Sequence, residues 1–205
     1  MANIGHLFII SAPSGAGKTS LVKALLEALS GIQVSVSHTT RTQRAGEEPG
    51  VDYHFFDKVS FQEIAANDGF LEHATVFGNS YGTSRELVEH TLNQGVDVIL
   101  EIDWQGAQQV RKVMNNNFSI FILPPSKQVL EDRLRHRGQD SDEIIEKRMC
   151  AAVDEISHYN EYDVIIVNDD FNEALDELKS VVMHQRMGRS VTKQLHQELI
   201  DQLVN

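Results

Sequence analysis

The fold of this chain is decided by the stretch Ser11-Ala12-Pro13-Ser14-Gly15-Ala16-Gly17-Lys18-Thr19. An apolar run at residues 7–10 precedes this stretch, and an amphipathic run begins after it at Leu21. Strand, glycine-rich turn and helix in this order form the context of a phosphate-binding loop, or P-loop. Small side chains let successive backbone N–H groups point inward at a phosphate, and the helix N-terminus adds partial positive charge.

Two side chains at the end of the stretch carry chemistry. Lys18 is placed to reach the terminal phosphates of a nucleotide, and the Thr19 hydroxyl can bind Mg²⁺. Ala12 departs from the G-x-x-x-x-G-K-[ST] pattern, because alanine uses positive φ less freely than the glycine expected there. The alternative is an ordinary glycine-rich turn, but the register of Gly15 and Gly17 before the lysine favours a P-loop.

Composition excludes several classes of protein. The chain has 205 residues, 41% of them hydrophobic and 23% charged, which is typical of a globular protein. A net charge of -12 argues against a broad surface for nucleic acid or anionic membranes. Cys150 is the single cysteine, so no intrachain disulfide forms. Because the sequence also lacks a secretion signal and an apolar run of about 20 residues, we expect a cytoplasmic protein.

Apolar runs near residues 7, 98, 120 and 165 alternate with helical patterns, which indicates an α/β fold with a parallel sheet. A small mixed insertion follows the first helix, and its own helix is predicted to begin at a capping box of Ser60 and Glu63. A second, helical insertion lies near residues 126–160. The strand near residue 98 ends in Glu101 and Asp103, at the sheet edge where such folds bind ligands.

The polar loop that follows residue 36 holds candidate phosphate ligands. Arg41 and Arg44 stand between Ser37 and Tyr53, and two guanidinium groups with two hydroxyls can hold a doubly charged phosphate. The spacing alone leaves open the alternative that both arginines are solvated loop residues.

The second insertion carries three more arginines. Arg133 and Arg137 are four residues apart and share one helix face, and Arg148 lies on the next helix. The alternative is that these arginines form surface salt bridges with nearby carboxylates, which would add little to stability. Those carboxylates belong to Glu131, Asp132, Asp142, Glu143 and Glu146.

Glu72 stands in an apolar context, where a carboxylate is costly unless it has a partner. Guanine is a fitting partner, because its N1–H and exocyclic N2–H₂ both donate whereas a carboxylate only accepts. Adenine has an acceptor at N1, so the same carboxylate would reject it. The alternative is an edge residue that faces water.

A set of motifs together resembles the guanylate kinase family, in its bacterial form. The resemblance covers nearly the whole chain, and in this order and spacing the motifs are highly specific as a set. They are found at residues 12–19, 37–44, 77–83, 101–106, 124–126, 137–138 and 167–170.

The resemblance implies a three-layer P-loop NTPase core with a parallel sheet, an inserted mixed α/β region that binds GMP, and a helical lid. The catalytic domain would span residues 5–185, followed by a helical tail at 186–205. Within the domain, the core would take residues 5–35, 94–125 and 164–185, the GMP-binding insertion residues 36–90, and the lid residues 126–160.

The resemblance also implies an activity, the conversion of ATP and GMP into ADP and GDP by direct in-line transfer with Mg²⁺. The nucleotides would be the partners, with no nucleic acid and no membrane, and tolerance of deoxy-GMP and a homo-oligomer stay open. Two rival functions are a scaffold domain that binds phosphorylated peptides without catalysis, and a P-loop kinase for another acceptor. An intact Lys18 and Thr19 argue against the scaffold, and Glu72 and Asp103 against another acceptor.

By motif match, the family's functional residues fall into five groups. ATP would bind to Ala12, Pro13, Ser14, Gly15, Ala16, Gly17, Lys18 and Thr19, with Asn168 near the adenine. The phosphate of GMP would bind to Ser37, Arg41, Arg44, Tyr53 and Tyr81. Guanine would be read by Glu72, Thr83 and Asp103. The catalytic cations would be Lys18, Arg41, Arg44, Arg133, Arg137 and Arg148. Mg²⁺ would bind at Thr19 and Glu101, although the family more often has aspartate at the second position.

Overall fold

The structure is a computed structural model that describes residues 4–76, 78–136 and 141–187. Within these ranges the chain forms nine strands and seven α-helices. Arg137 and nearly all of the predicted tail at 186–205 lie outside the described residues. The strands are β1 (Leu7–Ser11), β2 (Ile32–Val34), β3 (His38–Thr39), β4 (His54–Phe55), β5 (Phe70–Val76), β6 (Asn79–Ser84), β7 (Asp97–Glu101), β8 (Asn117–Leu123) and β9 (Val164–Val167).

In the core, strands β1, β7, β8 and β9 are separated by helices, as the sequence pattern predicts. The helices are α1 (Lys18–Ala28), α2 (Lys58–Ala66), α3 (Arg85–Asn93), α4 (Trp104–Val113), α5 (Lys127–His136), α6 (Asp142–Ser157) and α7 (Phe171–Arg186).

A five-stranded parallel sheet in the order β2-β7-β1-β8-β9 forms the core. Strand β1 lies in the middle of this sheet, with Leu7 opposite Val98 of β7 on one side and Asn117 of β8 on the other. Parallel strands in the centre of a sheet are buried on both faces, which explains the continuous apolar run in β1. The loop after β1 therefore begins at the centre of the sheet's carboxyl edge.

Helices cover both faces of the sheet. Phe8 and Ile10 pack with α1 and α7 on one face, whereas Leu7 and Ile9 pack with α3 and α4 on the other. This alternation follows from the two-residue period of a strand. The predicted α/β fold, with helix, parallel sheet and helix in three layers, is confirmed.

The insertion has a sheet of its own, in the order β4-β3-β6-β5. The pairing of β5 with β6 shifts register between Phe70 and Glu72. Such a bulge puts an extra residue into one strand and re-aims the side chains around it. Phe70, Leu71 and Glu72 are consequently all buried, although a regular strand would turn alternate side chains to opposite faces.

The predicted start of the insertion's helix is wrong. Asp57, and not Ser60, is the N-cap of α2, because its carboxylate accepts hydrogen bonds from the backbone N–H groups of Val59 and Ser60. The side chain that caps these free N–H groups belongs to the residue before the first turn, which is Asp57. Ser60 therefore lies inside the helix.

The two lid helices pack on each other through a small apolar cluster that includes Leu134 of α5 and Ile145 of α6. Leu134 also lies against the P-loop, with its Cδ2 3.1 Å from the position that a Cβ on Gly15 would take. After α6, the ring of His158 stacks on Trp104, with 3.6 Å between centroids and 10° between planes. Helix α5 therefore contacts the P-loop, and the residue that ends α6 contacts the start of α4.

The buried His38 makes the insertion sensitive to acid. It stacks on Phe56 and lies beside His54, and burial, with a smaller effect of the His54 charge, lowers its pKa from 6.5 to about 4. The unfolded chain binds more protons than the folded one between these two values. We therefore expect the free energy of unfolding to fall by about 2 kcal/mol as the pH drops from 6.5 to 4.

Urea unfolding of the wild type and of His38→Gln at several pH values between 4 and 7 measures this effect. The variant should lose a large part of the pH dependence, whereas His73→Gln, at an exposed site of the same sheet, should keep it. Parallel profiles for wild type and His38→Gln would contradict the assignment.

Candidate active site

The P-loop turns through two glycines in left-handed conformations. Gly15 has φ 96° and Gly17 φ 95°, values that residues with a Cβ rarely adopt. Between them, the Ala16 N–H donates to the Pro13 carbonyl at 3.0 Å. In the described ranges, Asp68 is the single non-glycine residue with positive φ, so Ala12 needs no glycine-like backbone. Alanine at the first position of the motif therefore fits the loop without strain.

Asn168 holds the loop in place. Its side chain is buried, and its Nδ2 donates to the Ala16 carbonyl at 2.7 Å. A Cβ on Gly17 would collide with this same nitrogen, so the close approach requires glycine. The sequence predicts Asn168 near the adenine, and the structure places its amide against the backbone of the P-loop.

Arg133 forms a hydrogen bond with the same asparagine. Its Nη2 donates to the Asn168 carbonyl oxygen at 3.0 Å, while its Nη1 is buried without a hydrogen-bond partner. A buried guanidinium nitrogen without a partner is costly, so this donor is suited to an anionic acceptor. Arg148 lies on the second lid helix, α6, and Arg137 lies outside the described residues.

Lys18 lies among carboxylates. Burial lowers its pKa, and the charges of Glu101, Glu155 and Asp103 act in the opposite direction. Lys18, Asp103 and Glu155 line a cavity of about 290 Å³ together with the P-loop. A cavity lined by a glycine-rich loop and a lysine is suited to an anion such as a nucleotide phosphate.

Thr19, which lines this cavity, lies beside Glu101. The Thr19 hydroxyl donates to Glu101 Oε2 at 3.3 Å. Hydroxyl and carboxylate oxygens are ligands of Mg²⁺, which takes few protein ligands and keeps waters and substrate phosphates for the rest. Within the described residues no group of three or more His, Cys, Asp or Glu side chains forms a metal site. These two residues fit a magnesium ion that a nucleotide brings with it.

A larger cavity, of about 680 Å³, connects the P-loop with the insertion. Lys18, Thr19 and Glu101 line it on the side of the core, and Ser37 and Tyr53 on the side of the insertion. The two predicted phosphate sites therefore open into one space.

Arg41 is held in place rather than solvated. Its guanidinium donates to both carboxylate oxygens of Glu47, at 2.7 and 3.1 Å, and lies over the ring of Tyr53, 5.3 Å from the centroid. The rings of Tyr53 and Tyr81 are 6.1 Å apart. Glu47 has the largest effect in raising the pKa of Arg41, and Tyr81 adds a smaller one. Arg44 has an exposed side chain, and its backbone N–H donates to Glu47 at 2.8 Å.

Glu72 and Thr83 meet in a buried pair. The Thr83 hydroxyl donates to Glu72 Oε1 at 2.6 Å, and the exposed fractions of the two residues are 8% and 1%. Burial raises the pKa of Glu72, and the charge of Asp103 raises it further, whereas the bond from Thr83 opposes the shift. The alternative that Glu72 faces water is therefore wrong.

Asp103 approaches the pair from the core. Its Oδ1 accepts a hydrogen bond from the backbone N–H of Gly106 at 2.8 Å, and Asp103 is thereby the N-cap of α4. Glu72 Oε2 lies 3.1 Å from the position of a Cβ on Gly106. The three predicted guanine ligands thus come together from β5, β6 and the start of α4, although the chain separates them by up to 31 positions.

Sequence reasoning missed two acids at the site. Glu47, which binds Arg41, follows Arg44 by three residues in the same loop, and this proximity was a usable signal. Glu155 lines the P-loop cavity from the lid helix α6, and no local pattern distinguishes it from neighbouring acids such as Asp154.

The parallel sheet, the glycine loop between β1 and α1 and the enclosed lysine define a P-loop nucleotide-binding protein. A sequence model of the family described as guanylate kinase matches residues 5–185. The chain belongs to the guanylate kinase family, as the sequence motifs predict.

Curated relatives support the same assignment. The chain is 58% identical to a guanylate kinase of Escherichia coli (strain K12) over 202 residues, which is 98% of each chain. It is 56% identical to one of Pseudoalteromonas translucida over 200 residues, covering 98% of this chain and 97% of that protein. A crystal structure of guanylate kinase from Anaplasma phagocytophilum matches with a TM-score of 0.73 and 36% identity, covering 91% of this chain and 89% of that one.

Among the residues that the structure describes, no helix has the length and apolar character needed to cross a bilayer.

Gly17→Ala should disrupt the loop, because the new Cβ strains a left-handed backbone and displaces the Asn168 amide. We expect a loss of stability of about 1–3 kcal/mol and binding of ATP, the nucleotide that the family motifs imply, about 10- to 100-fold weaker. Thermal unfolding and calorimetry measure the two effects.

Gly78→Ala is the matched control. Its φ is 78° and a Cβ there meets nothing within 4 Å, so it introduces strain without the collision. Equal ATP affinity in the two variants would show that the contact between Gly17 and Asn168 does not shape the nucleotide site.

Proposed function

We propose that this protein is an ATP:GMP phosphotransferase that converts ATP and GMP into ADP and GDP, within purine nucleotide metabolism and the recycling of GMP. Membership of the guanylate kinase family makes the chain a kinase with ATP as phosphoryl donor. The observation that carries the proposal is the shared cavity, which opens to Lys18 of the P-loop at one side and to Tyr53 of the insertion at the other.

The insertion would bind the phosphate of GMP through Arg41, Arg44, Ser37, Tyr53 and Tyr81. Charge-assisted hydrogen bonds from guanidinium groups to phosphate are short and strong. Support comes from the position of Arg41, whose side chain is oriented by Glu47 and by the Tyr53 ring before any phosphate arrives. An oriented donor loses less side-chain entropy on binding.

Guanine would be read by Glu72, Thr83 and Asp103. One oxygen of Glu72 already accepts from Thr83, so the other oxygen and the Asp103 carboxylate are left to accept from N1–H and N2–H₂. Adenine would put its N1 lone pair against a carboxylate with no proton to share. A site built for hydrogen bonds rejects the analogue that lacks them, because its buried polar groups are left without partners.

ATP would bind along the P-loop, from Ala12 to Thr19. Lys18 and the lid arginines Arg133, Arg137 and Arg148 would neutralise the group in transfer. The unpartnered Nη1 of Arg133 supports this role, because it is a donor beside the loop without an acceptor. The position of Asn168 supports an indirect role in ATP binding through the loop backbone.

Thr19 and Glu101 would hold Mg²⁺, since their oxygens lie together in the cavity that Lys18 also lines. When bound, the ion supplies positive charge to the β- and γ-phosphates. Glutamate has one methylene more than aspartate, and this reach brings its carboxylate to the Thr19 hydroxyl.

The reaction needs no covalent intermediate with the protein. A phosphate oxygen of GMP attacks the γ-phosphoryl group in line with the leaving ADP, and the protein contributes positioning and charge neutralisation. The shared cavity brings the two nucleotides end to end. Closure of the lid (126–160) over the core and the insertion (36–90) excludes water, which would compete as acceptor.

The base preference tests the function. A coupled assay of ADP release with GMP, AMP, CMP and UMP should give the highest kcat/KM for GMP in the wild type. In Glu72→Gln the preference for GMP over AMP should fall by about 10- to 100-fold, because an amide donates as well as accepts. Glu63→Gln, an exposed acid on α2, should keep the wild-type preference. Equal rates with AMP in the wild type would remove the guanine assignment.

The phosphate site gives a second prediction. Arg41→Ala should lower kcat/KM for GMP by about 10²–10³-fold, on the scale of one lost donor to a charged transition state, and should change the KM for ATP little. Arg85→Ala, a cation on α3 of the same insertion, should stay within twofold of the wild type. A loss below threefold in Arg41→Ala would place the phosphate elsewhere.

A further inference from the structure

Glu155 is an acid of the lid that faces the P-loop. It lies near the C-terminal end of α6, is partly buried, and lines the same cavity as Ser14, Gly15 and Lys18. Its neighbour Asp154 is exposed to solvent. None of the roles derived above for the phosphotransfer uses Glu155.

The Glu155 carboxylate interacts with the groups that a phosphate needs. Glu155 and Ser14 line one cavity with Lys18. Burial raises the pKa of Glu155, whereas the charge of Lys18 and the backbone N–H of Ser14 both favour the ionised carboxylate and oppose this shift. A backbone N–H of a P-loop and its lysine are the ordinary donors to a nucleotide phosphate, and a carboxylate is an anion with the same preferences.

The cavity does not favour the Glu155 carboxylate and a nucleotide phosphate at the same time. A carboxylate and a triphosphate in one cavity of about 290 Å³ share the same donors and repel each other. Asp103, which lines the same cavity, already adds to the negative charge that faces Glu155. An incoming phosphate chain would therefore displace the Glu155 side chain from this cavity.

We infer that Glu155 competes with the phosphates of ATP for the P-loop, and that ATP displaces it and thereby releases this end of α6 from the loop. The same helix carries Arg148, so the displacement connects nucleotide binding to a rearrangement of a lid arginine. This inference rests on the proposed function only in naming ATP as the nucleotide that enters the loop.

Glu155→Gln tests the competition, because the amide keeps the size and a hydrogen-bond acceptor but removes the charge. Calorimetry without Mg²⁺ should show that the variant binds ATP and inorganic pyrophosphate about tenfold more tightly than the wild type. Asp154→Asn removes one charge from the same helix turn at an exposed position and should stay within twofold. The affinity for GMP should be unchanged in both variants.

A measurement on the wild type covers the case in which Glu155→Gln does not fold. Hydrogen exchange of the backbone amides in the last turns of α6 should become faster when pyrophosphate binds, because Glu155 leaves the P-loop cavity. Unchanged or slower exchange there would overturn the inference, as would equal or weaker binding of ATP and pyrophosphate by Glu155→Gln. If the wild type binds no ATP, the proposed function fails; if it binds ATP and Glu155→Gln gains nothing, the role of Glu155 alone fails.

Discussion

The hydrogen bond from the Asn168 amide to the Ala16 carbonyl fixes the P-loop, and the rest of the site is built around it. It joins the end of β9 to a turn that only glycine can make at Gly17. The carbonyl of the same asparagine accepts from Arg133, so one residue sets the positions of both the loop and a lid arginine. A single buried asparagine thus links the core sheet, the nucleotide loop and the lid.

The site concentrates positive charge in a chain whose net charge is -12, and it does so with internal partners. Arg41 has Glu47, and Lys18 has Glu101, Glu155 and Asp103 around it. A cation taken out of water is stable only when an anion or a set of acceptors accompanies it. These carboxylates stabilise the cations in the folded site. An anionic substrate must either bind the cations alongside the carboxylates or displace the carboxylates from them.

The sequence predicts features that depend on local rules. The P-loop follows from spacing, and the buried strands follow from apolar runs such as residues 7–10, because a parallel sheet is covered on both faces. Features that depend on distant contacts are missed. The sequence pattern favours Ser60 as the cap of α2, whereas the hydrogen bonds place the cap at Asp57. The partners of Glu155 lie more than 130 residues away, so no periodicity or motif indicates them.

The stack of His158 on Trp104 has a practical consequence. Trp104 is the single tryptophan of the chain, and it follows Asp103 directly while its stacking partner belongs to the segment that leaves the lid. Indole emission depends on the groups in contact with the ring. The protein therefore carries an intrinsic fluorescent reporter where the start of α4 meets the end of α6, and its emission reports any change in the stack of His158 on Trp104 without a chemical label.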